Sequence, residues 1–458
     1  MNAATVSTAG RREWIGLAVL ALPCLLYSMD LTVLYLALPK LTAALHPTST
    51  QLLWITDIYG FFLAGLLITM GTFGDRIGRR RLLLSGAVAF GTASAFAAFS
   101  TSAEMLIVAR AVLGVAAATL APSTLSLIRN MFLDEGQRTI AVGIWIASFS
   151  VGAAVGPLVG GALLEFFWWG SVFLAGLPVT ALLLVLGPVL LPEFRDPAPG
   201  RLDVVSAALS LLSVLALIYG LKQIAAAGFD AQPLVALAAG AFLAAVFVQR
   251  QRNLDDPLVD VRLFLGAAFT IAVAAMCIAV FLVAGTDFYL GQYLQLVFGK
   301  SPFVAGLWML PGSLIGVGAG AVGTLATDFV VNAAPAERAG AASAISETGA
   351  ELGGALGVAI LGSIGAAVYR SDVAAEAPSA LSEAQLERSK ESLAGAVDLG
   401  GTLSARVRTD VVEAGRAAFT HALHLGALSA AVVATALAVL AALSLRGSGQ
   451  AEPGPPLR

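Results

Sequence analysis

Gly71-Thr72-Phe73-Gly74-Asp75-Arg76-Ile77-Gly78-Arg79-Arg80-Arg81 places five charges between two long apolar runs. A bilayer core expels unpaired charge, so this loop must lie at a membrane face, and its cations favour the cytoplasmic one. Gly71 permits close helix contact and Gly78 a tight turn. Asp75 suits a helix cap or a bond to a basic neighbour. Gly71, Asp75, Arg76, Gly78, Arg79 and Arg80 therefore read as a gating loop whose charges can bond carbonyls or carboxylates across a cytoplasmic gap. Simple topological anchoring by Arg79 to Arg81 is the plainer role of the same charges.

Outward from this loop the chain is built for lipid. Of its 458 residues 58% are hydrophobic and 12% charged, with a mean hydropathy of +0.87. Soluble domains carry about a quarter charged residues, which excludes a water-soluble globule. A net charge of −3 gives no case for nucleic acid. Cys24 and Cys277 fall inside apolar runs and read as small packing residues rather than a disulfide or metal pair. The polar stretch from Met1 to Arg12, followed by a long apolar run from Trp14, reads as a retained first span.

A hydrocarbon core of about 30 Å needs about 20 helical residues. Suitable runs lie at 14–38, 51–73, 81–101, 104–129, 140–165, 170–191, 203–222, 232–250, 267–295, 303–333, 340–368 and 419–446. The expected fold is all-α and polytopic, with about 12 transmembrane helices. Sixteen arginines fall on segments that an inward N-terminus makes cytoplasmic; the short external loops hold only Lys40, Lys222 and Lys300. Both termini are thus expected to be cytoplasmic, in a multi-pass protein of the cell (inner or plasma) membrane. The organisation expected is a cytoplasmic tail at 1–13, a six-helix bundle at 14–191 and a two-span linker at 192–262. A second bundle follows at 263–446, with an external loop at 369–420, and then a disordered tail at 447–458. Residues 371–418 fit a surface helical hairpin or a mobile loop equally well.

Charges inside the spans carry the chemistry. Asp30 lies in the first span and Asp57 in the second, both in the outer half by residue count. A carboxylate in lipid is costly and faces a cavity, a partner or a proton path. Arg110 enters the fourth span at similar depth and is a natural counter-charge for one of them, so a structural ion pair stands beside a substrate or proton role. Glu347 and Glu351 share one helix face by their i, i+4 spacing. Two carboxylates that close in low dielectric cannot both ionise cheaply, which suits one to proton coupling. Helix-to-helix hydrogen bonding of Glu351 is the plainer alternative.

Gly152, Gly156, Pro157, Gly160 and Gly161 put small residues at four-residue spacing around a kink, which permits close backbone approach. Trp54 and Tyr59 flank Asp57 and could offer aromatic faces to an organic cation. No phosphate-binding Gly-x-x-x-x-Gly-Lys pattern occurs, and His46, His421 and His424 form no metal or catalytic set. Neither an enzyme nor a cofactor is expected.

These motifs together resemble the fourteen-span drug:proton antiporter branch of the major facilitator superfamily, most nearly its quaternary-ammonium and antiseptic-resistance exporters. The matching pieces are Met29-Asp30-x-Thr32 with Ala37-Leu38-Pro39, Leu53-Trp54-Ile55-Thr56-Asp57-Ile58-Tyr59, the 71–81 loop and Arg110-x-x-x-Gly114. Gly156-Pro157, Asp260-Val261-Arg262-Leu263-Phe264, Gly291-Gln292-Tyr293-Leu294-Gln295, Gly306-Leu307-Trp308-Met309-Leu310-Pro311 and the Glu347/Glu351 helix complete the set. The resemblance implies export of lipophilic cations in exchange for protons, with Asp30, Asp57, Glu347 and Glu351 as the embedded acids. It also implies that spans seven and eight are an extra pair between two six-helix bundles, and a monomer is expected.

The chain departs from that pattern after Pro311, where Thr324-Leu325-Ala326-Thr327-Asp328 follows too soon. A length of about two spans is missing, with the junction near Val317–Val322. This leaves two rivals to a multidrug exporter: a transport-defective or subunit-like shortened member, and a facilitator or symporter of another small solute. Asp287, in the ninth span, is an additional acid.

Overall fold

The computed structural model describes residues 8–195, 202–255, 257–311, 339–378 and 380–448. The expectations for the 317–322 junction, most of span ten and the 449–458 tail concern residues outside this set. Among the described residues all regular structure is helical, and eleven helices are long and apolar enough to cross a membrane. In chain order α1 is Arg11–Leu45, α2 Ser49–Ile77, α3 Arg79–Ala98, α4 Ala103–Met131, α5 Glu135–Phe166 and α6 Ser171–Leu190. The next two are α7, Val204–Ala227, and α8, Ala231–Asn253. Then come α9, Ala267–Gln292, continued by a π turn at Tyr293–Val297, and the short apolar α10, Pro302–Pro311, where span ten begins. α11 is Ala339–Glu376, α12 Glu383–Glu391, α13 Leu393–Gly400 and α14 Ala405–Ser448.

Polar side chains start these helices where the sequence supplies them. Thr48 and Gln51 form a capping box on α2, Ser102 accepts from the Met105 amide, Asp134 from Gln137 and Asp203 from Ser206. Each such cap is worth about 1 kcal/mol. Gly78 separates α2 from α3 at φ 112°, where a Cβ would stand 2.5 Å from Glu193 Oε1. Only glycine serves that turn without strain.

Small residues set how closely the helices approach. On α5, a Cβ at Gly152 would strike the Leu25 backbone, at Gly156 Thr32 and at Gly160 Val33, so the face packs directly on α1. Gly161 abuts Pro302 and Phe303 of α10 instead, and Gly306 abuts the Pro157 backbone. The glycine-proline helix thus joins the two halves of the molecule. Other contacts between the halves are Gly60 with Ala355 and Leu53 with Gly362 (α2–α11), and Gly291 with Tyr35 (α9–α1). Gln295 Nε2 adds a hydrogen bond to Leu36 O at 2.9 Å. All of these lie towards the end opposite the 71–81 loop.

That opposite end is also covered. α12 and α13 form from the stretch whose sequence fitted a hairpin or a loop, and Ser382 gives α12 a capping box with Gln385. Glu391 accepts from Ser49 N at 2.5 Å and Ser49 Oγ at 2.7 Å, capping α2 from across the mouth. Arg388 bonds Asp398 at 2.6 Å and approaches His46 Nδ1 at 3.0 Å.

Candidate functional site

The motif Arg110-x-x-x-Gly114 acquires a physical reason. Gly114 lets α4 press on the Tyr59 carbonyl of α2, where a Cβ would collide. One turn earlier Arg110 is thereby carried onto α2 and α1. Its Nη1 donates to Asp30 Oδ2 at 2.6 Å and its Nε to Ile55 O at 3.2 Å. The guanidinium lies 4.5 Å from the Tyr59 ring centroid. Arg110 is 0% exposed and Asp30 5%, so the pair is wholly internal. Asp30 is therefore neutralised by a fixed cation, the partnership its depth suggested.

Asp57 has a different partner, one the sequence had placed elsewhere. Lys222 does not lie in an external connection; it is inside α7 and 1% exposed. Its Nζ is 2.8 Å from each Asp57 oxygen, with good hydrogen-bond geometry to Oδ1. The ammonium also stands 3.7 Å from the Trp54 ring centroid. The missed signal was the apolar Ile224-Ala225-Ala226-Ala227 beyond Lys222, which extends the helix past its charge. Trp54 and Tyr59, the two candidate aromatics, thus each face an intramolecular cation.

Glu347 and Glu351 present the contrasting case. Among the described residues neither has an ion-pair partner, and each keeps partial exposure within α11. Glu351 is the electrostatic neighbour of Glu347, of Tyr27 and of Tyr59, and Glu347 of Cys24. The hydroxyls of Tyr27 and Tyr59 are buried without a hydrogen-bond partner of good geometry, as are those of Ser346 and Thr348. Buried hydroxyls are normally satisfied, and Glu351 is the acceptor nearest to hand for Tyr27.

An aromatic wall adjoins it. Tyr27 meets Phe149 edge-on at 5.6 Å, Phe149 meets Trp145 at 4.8 Å, and Trp145 Nε1 donates to Thr124 Oγ1 at 2.9 Å. Phe149 escaped sequence reasoning because nothing in its neighbourhood marks it as facing inward. Asp287 is half-buried on α9 and acts electrostatically on Tyr35 of α1, away from the glutamate pair.

The gating loop bonds α4 and the segment after α6. Asp75 pairs with Arg79 at 2.5 Å, Arg79 Nη1 donates to Pro122 O at 3.3 Å, and Arg80 Nη1 to Leu191 O at 3.0 Å. Glu193 collects Arg80 at 3.6 Å and Arg81 at 3.7 Å. These bonds stay within α2, α3, α4 and the segment after α6. Gly71 faces Pro122 on α4, where a Cβ would stand at an ordinary contact distance of 3.7 Å.

A family profile described as Major Facilitator Superfamily matches residues 20–358. The chain is 41% identical over 489 residues to the multidrug efflux pump LfrA of Mycolicibacterium smegmatis, covering 95% of this chain and 97% of that one. It is 33% identical over 476 residues to the methyl viologen resistance protein SmvA of Salmonella typhimurium, covering 92% and 95%. A tetracenomycin C resistance and export protein of Streptomyces glaucescens matches at 30% over 507 residues, covering 96% and 93%. These aligned stretches exceed the 458 residues available, so the relatives carry a segment without counterpart here. In fold the chain is similar to a bacterial Spinster homologue in an inward-facing, occupied conformation, with a TM-score of 0.54 at 16% identity over 94% of this chain and 98% of that one.

Proposed function

The chain belongs to the Major Facilitator Superfamily, and from that premise we propose that it exports lipophilic organic cations in exchange for protons by alternating access. It is a multi-pass membrane transporter of a drug-efflux kind, not an enzyme, and the names of its relatives speak of efflux, export or resistance. The finer reading rests on one observation: Glu347 and Glu351, unlike Asp30 and Asp57, have no fixed cation among the described residues. Two carboxylates one helical turn apart in low dielectric need a neutralising partner. A proton or a cationic guest can serve, and competition between them couples their movements. Tyr27, Trp145 and Phe149 supply apolar and cation–π surface beside the acids.

The orientation read from the arginines makes the 71–81 face cytoplasmic. Among the described residues, the contacts between halves named above lie towards the other end, which fits a carrier closed to the outside. Asp75, Arg79 and Arg80 bond carboxylates and backbone carbonyls at this face, which fits a gate that exchanges such contacts during the swing.

Reconstituted protein in vesicles provides the test. An imposed pH gradient should drive ethidium movement, a protonophore should collapse it, and Glu347→Gln should remove the coupling. Dye flux indifferent to the gradient would overturn the antiport reading. The segment missing from the C-terminal half supports a second reading, a transport-defective member, which the same vesicles would reveal as absence of any dye flux.

A further inference from the structure

The extra helix α7 is wedged into the seam between the two halves. Phe61 of α2, Ile218 of α7, and Ala355 and Ala359 of α11 form one buried cluster there, bordered by Trp54, Leu352 and Leu356. Gly65 lets α2 approach α7 so closely that a Cβ would stand 2.9 Å from Leu211 Cδ1. Into this seam α7 delivers Lys222, whose ammonium is held by a carboxylate at 2.8 Å and an indole face at 3.7 Å.

A carboxylate beside an aromatic face is the constellation that recognises an organic cation in a dry site. Here the cation that fills it is covalently part of the chain. Asp57 is the charged group that faces Lys222 directly, and Arg110 of α4 is a second cation acting on Asp57 from farther off. On α11, Ala355 and Ala359 pack on Ile218 of α7, and Glu351 lies one turn before Ala355. On α8 the nearest polar contact is Gln232, bonded at 2.7 Å to the Tyr219 hydroxyl one turn before Lys222.

We propose that Asp57 and Trp54 form a subsite for a monovalent organic cation, and that Lys222 is its tethered occupant, displaced by the guest with release of the lysine's proton. This rests on the cation-export reading above and deepens it. The exchange balances: guest cation plus ammonium–carboxylate pair gives guest–carboxylate pair plus neutral amine plus one proton to water. After the guest departs the amine takes up a proton and returns to Asp57. The empty carrier therefore never carries a bare carboxylate through the low-dielectric seam, which would be costly.

Ethidium binding to the purified full-length protein in weakly buffered detergent tests this, with dye fluorescence and proton release read together. Lys222→Met should bind ethidium about tenfold more tightly at a pH alkaline enough to ionise the unpaired Asp57, because the resident competitor is gone, and should there release about one proton fewer per dye than the unaltered protein. Lys222→Arg keeps the charge and the pairing, but a guanidinium does not give up its proton. It should bind about tenfold more weakly, and it remains decisive should Lys222→Met fail to fold. Unchanged affinity and proton count in the folded variants would reduce Lys222 to a structural pin and overturn the proposal. Failure of the unaltered protein to bind ethidium or to move it along a pH gradient would instead sink the export reading itself.

Discussion

Lys222 Nζ lies 2.8 Å from Asp57, 165 residues away in the chain, and neither side chain reaches solvent. A buried pair of this kind is weak evidence for net stabilisation, but removing one member strands the other and costs about 3–5 kcal/mol. Asp57→Asn and Lys222→Met should each lower the melting temperature in detergent. The double variant should recover much of the loss, since no uncompensated charge then remains. Additive losses in the double variant would show that the two groups are not energetically coupled.

Asp30→Asn poses a different problem, because Arg110 cannot shed its charge. The guanidinium keeps Ile55 O and the Tyr59 face but loses its only 2.6 Å carboxylate bond among the described residues. Export should fall to background in cells challenged with a cationic biocide, with protein present in the membrane by immunoblot. Arg110→Lys should rescue neither stability nor export, since an ammonium cannot bond Asp30 and Ile55 in the same fork. Unaltered resistance in Asp30→Asn would remove this pair from the transport cycle.

Much of this site could be read from the chain. Asp30, Arg110 and Gly114 announced a charge pair on closely packed helices, and the glycines of α5 announced the contact that GLY-to-Ala changes would break. Lys222 could not be read, for a physical reason. Hydropathy treats a charge as the end of a span, whereas a carboxylate from another helix can neutralise it in place. Whether a lipid-embedded lysine has such a partner is a tertiary fact. The cover formed by α12 and α13 was undecidable likewise, since its apolar residues are irregularly spaced and Glu391 acts on Ser49, far away in sequence.

Glu347→Gln is expected to flatten the pH dependence of dye binding. In the unaltered protein, protons compete with the cation for the glutamate pair, so binding should weaken as pH falls and strengthen as it rises. The variant keeps the shape of the side chain but neither holds a proton nor needs one. Equilibrium titration of ethidium across neutral pH reads the difference, and a profile identical to that of the unaltered protein would exclude Glu347 as a competing site.

The α1–α5 contact yields a steric prediction. A side chain at Gly156 would enter Thr32 and the Met29 backbone, whereas one at Gly143 on the same helix meets nothing within 4 Å. Gly156→Val should cost about 1–3 kcal/mol through overpacking and abolish export. Gly143→Ala should be neutral or slightly stabilising, because it removes chain entropy from a helix interior. Thermal melts of the two variants side by side provide the check, and equal behaviour would mean that α5 does not seat on α1 as described.

Asp75→Asn tests the gate. The carboxylate holds Arg79 at 2.5 Å one turn ahead, and Arg79 in turn reaches Pro122 O on α4. Loss of the charge removes this bond while Arg79 keeps its contact with Pro122 O, so the loop should favour one arrangement of the halves over the other less strongly. The pair is partly exposed, and its direct worth is small, about 0.3–0.5 kcal/mol. Stability should therefore change little. Turnover should drop about tenfold, which corresponds to about 1.4 kcal/mol in the barrier to the swing, with the affinity for ethidium retained. Vesicle flux measured against equilibrium binding separates the two quantities. A variant that binds dye weakly but turns over normally would place Asp75 in substrate recognition instead of in the gate.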